Sequence, residues 1–456
     1  MSFLKQKLKI VSLILIFILL IVAGAYFIKN DGRLFQAQGI RCEGRQCNVI
    51  LIVSDTLSAQ HMSVYGYQRE TTPFIKSYFE KNGVIFDSAS STASWTMPSF
   101  ASMFRSKYPS QILLKDLASK KDPNTFVDVL RSQGVEIKGA VDTGQLIKES
   151  VANVFDPKEV LGGSGEARFI SAGQWLAERD IKNKKPFFMM IHDWTVHDPY
   201  TPQKKYQNLF DEPAVYEGDV SHEEIEEVKE NKFQSDAQKE KFVRRYDQEV
   251  KEFDDLIKGF VESLSQEILD SSIIMITSDH GEGFDEHGFF YHGAHVYEEF
   301  VKIPMLVKFP NNAFAEQRVS APVSLIDMGP TVLNIFGKKV PESYLGVNFF
   351  DLIGDENRHN ERNIISELGS FDLSLGGEVK SFDQLDKKIL DRYIFNDRLQ
   401  LAVRKKNWKL IKSLKGVELF NLENDSFEKN NLIQEWESYP EEDKKIIKEL
   451  LDSIKN

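Results

Sequence analysis

"NVILIVSD", residues 48–55, decides the fold. Its apolar run does not alternate with polar residues, which suits a strand covered on both faces, as in a parallel sheet. Similar runs recur at 187–191 ("FFMMI"), 273–277 ("IIMIT") and, less pure, 303–309 ("IPMLVKF"). Between them the pattern predicts helices over 73–82, 98–105, 123–133, 167–181 and 240–265. Strands alternating with helices predict an α/β protein with a doubly wound, mostly parallel sheet flanked by helices. Three of the runs close on polar residues: Asp55, then His192-Asp193 through His197, then Asp279-His280. In open α/β sheets ligands bind beyond the carboxyl ends of the strands. These residues, distant in sequence, are therefore expected to share one rim.

Working outward, residues 213–240 are dense in charge and read as a solvated excursion or lid. Residues 366–390, with Gly369, Gly376 and Gly377, read as a second irregular insertion. The tail has "LAVRKKNWKLIKS", "VELFNLENDS" and a charged helix over 439–455, which predict a small α+β subdomain. The expected organisation is a membrane-directed segment over 1–30, an α/β catalytic domain over 45–395 and a C-terminal subdomain over 396–456. Lys+Arg total 57 against Asp+Glu 69, a net charge of -12. That balance argues against nucleic acid as a partner, which would call for a basic face.

At the N-terminus Lys5, Lys7 and Lys9 precede the uncharged run Ile10–Ile28. The run approaches the ~20 residues that span a bilayer as a helix. Basic residues stay cytoplasmic, so the catalytic mass is expected outside, periplasmic or extracellular, anchored by a transmembrane helix. The rival expectation is a cleaved signal peptide, since Ala23-Gly24-Ala25 resembles a cleavage site, and secretion follows. The two cysteines, Cys42 and Cys47, flank a short loop and are expected to form a local disulfide after export.

The chemistry concentrates in "TSDHGEGFDEHG", 277–288, and "STASWTMPSF", 91–100. Asp279 and His280 follow a buried run, and Gly281 and Gly283 let the chain turn sharply. A carboxylate with an imidazole suits Zn or Mn better than an all-oxygen Ca site, and Asp55 would add a second carboxylate. Thr96 starts a helix, with Pro98 in its first turn. Its hydroxyl either caps that helix or serves as a nucleophile. A divalent cation would activate it, and the helix N-terminus favours a tetrahedral oxyanion. His197 in "DWTVHDPYTP" and His292 and His295 in "YHGAHVYEE" are candidates to bind that oxyanion or protonate a leaving group. His287 reads as structural.

In this order, "NVILIVSDT…MSVYGYQRETTPFI", "SWTMPSFASMFRSKYP", "HDWTVHDPYTP", "YDQEVKEFDDLI", "SDHGEGFDEHG", "HGAHVYEEFVKIPMLV" and "SLIDMGPTVLNIFG" resemble the sulfatase family of the alkaline-phosphatase-like superfamily. The tail "WKLIKS…VELFNLENDSFEKNNL" resembles that family's C-terminal subdomain, and the likeness covers roughly 47–435. It implies a hydrolase with a divalent cation (Zn, Mn or Ca, one or two) on Asp55, Thr96, Asp279 and His280. It places Thr96 at the nucleophile, and His197, His292 and His295 near the oxyanion or leaving group. Lys107 matches the basic residue that closes the nucleophile helix.

The chain also departs from the family pattern. The convertible Cys or Ser of the C/S-x-P-S-R motif is Thr96, which cannot become formylglycine, and the Arg is Phe100. The usual paired aspartates are Asp55-Thr56, and His280 stands where Asn is frequent. These changes resemble the superfamily's phosphoester and phosphonate hydrolases, and its phosphoethanolamine or phosphoglycerol transferases, which use an unmodified threonine. The expectation is an exported hydrolase of sulfate or phosphate esters on a small molecule, glycan or lipid. The alternatives are a head-group transferase acting on envelope lipid or glycan, and a non-catalytic binding protein of the same fold.

Overall fold

The computed structural model describes residues 41–42, 45–112, 125–141, 151–179, 185–210, 218–355, 358, 362–368, 400–413 and 415–453. The expected membrane segment over 1–30, and the expected insertion beyond 368, lie outside these residues. No helix among the described residues is long and apolar enough to cross a membrane. Cys47 is disulfide-bonded, as expected.

The main sheet is built from β1 (Asn48–Ser54), β2 (Val84–Phe86), β3 (Glu136–Ala140), β4 (Phe187–Asp193), β5 (Ser272–Ser278), β6 (Met305–Lys308) and β7 (Gln317–Val319). Its order is β7-β2-β6-β5-β1-β4-β3. Strands β3, β4, β1 and β5 are parallel neighbours, and β6 alone runs against the rest. The expected mostly parallel, doubly wound sheet is the observed one. The apolar runs at 48, 187 and 273 form its centre, where both faces are covered. Strand β3, "EIKGA", escapes that reading because it lies at the sheet edge, and it alternates buried with partly exposed residues.

The flanking helices are α1 (Pro73–Asn82), α2 (Thr96–Arg105), α3 (Phe126–Ser132), α4 (Glu166–Ala177), α5 (His222–Asn231), α6 (Asp236–Ser263), α7 (Gln266–Ser271), α8 (Met328–Ile335) and α9 (Glu441–Ser453). Val49, Leu51 and Val53 of β1 pack with Phe100 and Phe104 of α2, Phe126 of α3 and Val332 of α8. Ile50 and Ile52 face the other way, toward Ile75 of α1, Phe169 of α4 and Tyr246, Val250 and Phe253 of α6. The period-two geometry of a strand thus delivers alternate residues of one apolar run to two separate cores.

The excursion at 213–240 is not simply solvated. Ser221 caps α5 through a reciprocal pair: its hydroxyl accepts from Glu224 N and its N–H donates to the Glu224 carboxylate. Ile225 and Val228 bury the inner face of α5. Five glutamates on its other positions make this amphipathic segment look uniformly polar in sequence.

The C-terminal sheet joins β8 (Ile364–Leu368), β9 (Gln400–Lys405), β10 (Trp408–Ser413) and β11 (Gly416–Asn421) as an antiparallel meander. Its first strand therefore comes from before residue 396. One face carries α9 through Ile446, Ile447 and Leu450. The other packs Ala402, Ile411 and Phe420 on Val296, Tyr297, Phe300 and Val301, the segment that follows His292. At that contact Lys409 of β10 is buried between Glu298, at 2.8 Å, and Glu428, at 2.9 Å. Lys409→Met should leave two buried carboxylates facing each other and destabilise the protein by about 3–5 kcal/mol. Urea unfolding checks this, and an unchanged midpoint would show that the pair does not hold the two sheets together.

Candidate active site

The strand registers bring the polar ends to one level. Ser54 of β1 pairs with Asp193 of β4 on one side and with Ser278 of β5 on the other. Asp55 and Asp279 therefore leave adjacent strands side by side, both buried. Thr56 then turns at φ 58°, a strained conformation for a β-branched residue. Three bonds hold it there. Its N–H donates to Asp279 Oδ1 (3.3 Å), its hydroxyl donates to Val196 O (2.9 Å), and its carbonyl accepts from Tyr246 (2.7 Å).

His280 donates Nδ1–H to Gly281 O at 2.9 Å, since a carbonyl can only accept. Its Nε2 lone pair consequently faces Asp55 Oδ1 at 3.4 Å and Asp279 Oδ2 at 3.5 Å. Gly281 and Gly283 do not use left-handed backbone. They are required by close approach: a Cβ on Gly281 would lie 2.2 Å from Glu299 O, and one on Gly283 2.4 Å from the Phe300 ring.

Thr96 is the first residue of α2, and the residue before it, Trp95, supplies no side-chain cap. The Thr96 hydroxyl is directed to the carboxylate cluster, 3.4 Å from Asp55 Oδ1 and 3.2 Å from His280 Nε2. Ser91 ties this helix start to β5. It bonds Ser99 Oγ at 2.9 Å and donates to Asp279 O. Of the two roles open to Thr96 in the sequence, capping is not the one seen.

Asp55, Asp279 and His280 present ligand atoms within 4.8 Å of one another, a grouping that could hold a cation. These residues fit one. Asp279 Oδ2 is buried without a hydrogen bond. Burial, and then the neighbouring Asp55, hold the Asp279 carboxyl well above the usual carboxylate range. Burial, and then His292, push His280 down to about 4, which keeps its ring neutral and able to ligate.

A second group, His197, Asp198 and His292, also presents ligand atoms within 4.8 Å. His197 Nδ1 meets Asp198 Oδ1 at 3.0 Å, and His292 Nδ1 meets Glu282 Oε2 at 3.2 Å. The two rings are 5.2 Å apart, and His292 lies 4.9 Å from the His280 ring. Asp198 also accepts from Tyr291 (2.7 Å) and pairs with His222 of α5 (3.0 Å). Burial opposes charge on His197, but the Asp198 hydrogen bond and the Asp55 charge prevail and raise it to about 10. Burial and the neighbouring His197 push His292 down to about 3.

Asp55, Asp279, His280 and His197 thus share one rim, as expected, and Thr96 and His292 join them. His295 belongs to neither group of potential ligands. It stacks on Tyr297 at 3.8 Å and lies 4.9 Å from Phe289, on the side of the C-terminal sheet. His287 is structural as expected, bonded to Glu299 (2.8 Å) and to Glu428 O (3.0 Å). Asp198, Glu282 and Tyr291 escaped the sequence reading. Asp198 directly follows His197, and its place in "HDPY" is the one local signal for it.

The sulfatase profile matches residues 47–338, more than half of the chain. The chain belongs to the sulfatase family. It is 27% identical to N-acetylglucosamine-6-sulfatase of Bos taurus over 334 residues, 61% of this chain and 59% of that protein. It is 23% identical over 410 residues to N-acetylglucosamine-6-O-sulfatase of Bacteroides thetaiotaomicron, covering 69% and 72% of the two chains. It therefore spans less than two thirds of the bovine relative's length. Its fold is that of a solved protein in complex with its substrate D-glucosamine-2-N,6-O-disulfate (TM-score 0.65, 18% identity, 90% and 98% of the two chains). Phosphonate monoester hydrolase of Agrobacterium radiobacter shares it too (TM-score 0.63, 15% identity, 89% and 95%).

Asp279→Asn should remove one charge from the buried pair. In chelator, the wild type should lose stability as pH rises from the ordinary carboxylate range, because the raised carboxyl of Asp279 must give up its proton. The Asn variant should lack that slope and should gain no thermal stability from added Zn or Mn. Melting curves across pH, with and without metal, check both signs.

Proposed function

We propose that the chain is a sulfatase-family hydrolase of sulfate or phosphate esters with Thr96 as an unmodified nucleophile. The observation that carries this reading is the Thr96 hydroxyl, within 3.4 Å of both Asp55 and His280 rather than at a helix cap. Asp55, Asp279 and His280, with Thr96, would hold a divalent cation, and their mixed oxygen and nitrogen set suits Zn or Mn. Such a cation lowers the pKa of a coordinated hydroxyl and neutralises the nonbridging oxygens of an ester.

The Thr96 hydroxyl, acidified in this site, gives up its proton to solvent, and Oγ1 attacks sulfur or phosphorus in line. The ester oxygen departs with a proton from His197, and a covalent ester on Thr96 remains. Water then gives a proton to the now neutral His197 and attacks that ester, which releases sulfate or phosphate and frees Thr96 Oγ1. His197 suits the acid role because it retains its proton near neutral pH, whereas His292 is neutral and can only accept there. A second reading places another cation on His197, Asp198 and His292. Its support is that ligand atoms of the three residues lie within 4.8 Å of one another, and it requires His197 to give up the proton that the acid role keeps.

A sulfated glycan substrate is supported by the relatives named for N-acetylglucosamine sulfate and by the fold neighbour bound to a glucosamine disulfate. A phosphorus ester is supported by the plain hydroxyl of Thr96 and by the phosphonate hydrolase neighbour. We also infer export of the catalytic mass, on the strength of the lysine-led apolar run at 10–28.

Thr96→Ala should lower turnover of aryl sulfate and aryl phosphate by about 10³-fold or more, with unchanged folding. Undiminished turnover of both esters would reject the nucleophile. Free sulfate or phosphate as product, rather than a head group moved onto added lipid, separates hydrolysis from transfer. In the wild type kcat/KM should fall as pH rises through about 10, as His197 loses its proton. His197→Gln should lower the rate and lack that alkaline limb, as a pH–rate profile would show.

A further inference from the structure

Beside the cluster stands a residue that the mechanism does not use. His192, at the end of β4, is fully buried. Its Nε2 lies 3.3 Å from Asp55 Oδ2. Thr96 and His280 both approach Asp55 through its other oxygen, Oδ1. The pair falls short of hydrogen-bond geometry, and neither buried atom has a hydrogen-bond partner.

The protonation of the ring is decided by Trp194. Its indole N–H, a donor only, points at His192 Nδ1 at 3.2 Å. Nδ1 must therefore accept, and a ring that accepts there carries its proton on Nε2, toward Asp55. The ring is also fixed in place. Phe100 packs against it edge-on at 4.7 Å and 75°, and Arg168 donates to the His192 carbonyl. Phe100 thus fills with packing a position where a polar side chain could have competed for the imidazole.

We propose that His192, held in one tautomer by Trp194, is a positioning residue that engages Asp55 Oδ2 and leaves Oδ1 alone to meet a divalent cation. This rests on the cation-binding reading of Asp55, Asp279 and His280. Without the donor at 192, Asp55 is free to rotate or to offer both oxygens, and the preorganised geometry is lost. Partners of metal-ligating carboxylates typically carry 10–100-fold of metal affinity.

The test measures Mn²⁺ affinity by isothermal titration on the full chain, together with melting in chelator. His192→Phe should weaken Mn²⁺ binding by about 10–100-fold. His192→Gln, whose amide can reproduce the Nε2–H donor, should recover most of the loss. Trp194→Phe keeps the packing and removes the tautomer lock, so an intermediate loss is expected. A merely structural role predicts lower melting in chelator for all three variants without the recovery by Gln. Equal affinity of wild type and His192→Phe, or of the Gln and Phe variants, overturns the proposal. If His192→Phe does not fold, Trp194→Phe decides, and an unchanged affinity there overturns it. A wild type that binds no Mn²⁺ or Zn²⁺ overturns the cation reading itself, which keeps the two failures distinct.

Discussion

Asp55 and Asp279 end adjacent parallel strands and are buried against each other, an arrangement that repels itself unless positive charge stands between the two. Most of the local geometry follows from holding that pair. Thr56 accepts a left-handed backbone, at a cost of order 1–3 kcal/mol, so that its N–H can reach Asp279. His280 turns Nδ1 to its neighbour's carbonyl and presents Nε2 inward. Ser91 fastens the start of α2 to the same strand end, which places the Thr96 hydroxyl over the carboxylates.

The C-terminal sheet takes part in this as a buttress. Glu298 and Glu299 form the turn on which Gly281 rests without room for a Cβ. That turn is gripped from the far side, since Lys409 pairs with Glu298, and His287 spans Glu299 and the Glu428 carbonyl. A buried ion cluster of this kind is costly to desolvate, so its value lies in fixing one arrangement of two packed sheets. The chain after His292 runs through the same interface, so the loop that carries His292 is anchored at its C-terminal end.

Where the chain departs from the sulfatase pattern, the structure supplies a consistent replacement. Phe100 packs on His192 instead of offering a guanidinium. Thr56 contributes a backbone N–H where a second carboxylate would be usual. Thr96 stands at the start of α2, the place proposed above for the nucleophile. A hydroxyl there needs strong activation, which is consistent with the density of carboxylate and imidazole around it. The excursion helix α5 adds His222 to Asp198, so a segment that reads as solvent-facing also forms part of the wall of the site.

The central strands, the rim and the convergence of Asp55, Asp279, His280, Thr96 and His197 were legible in sequence. Unalternated apolar runs mark strands buried on both faces, and polar residues at their ends mark the carboxyl edge. Edge strand β3 and helix α5 were not, because half-exposed elements dilute the apolar period on which such reading depends. Nor were the partners. Asp198, Glu282 and Tyr291 are ordinary polar residues until folding brings them to His197 and His292. His292 and His295 are separated by two residues, yet one enters the site and the other stacks on Tyr297. His192 lies in "HDWTVHDPYTP" and at the expected rim, but its proton is assigned only by an indole two residues away. The sequence by itself determined which residues end the buried strands. The tertiary structure alone decided which way each imidazole faces, because hydrogen-bond direction depends on a partner that local sequence does not specify.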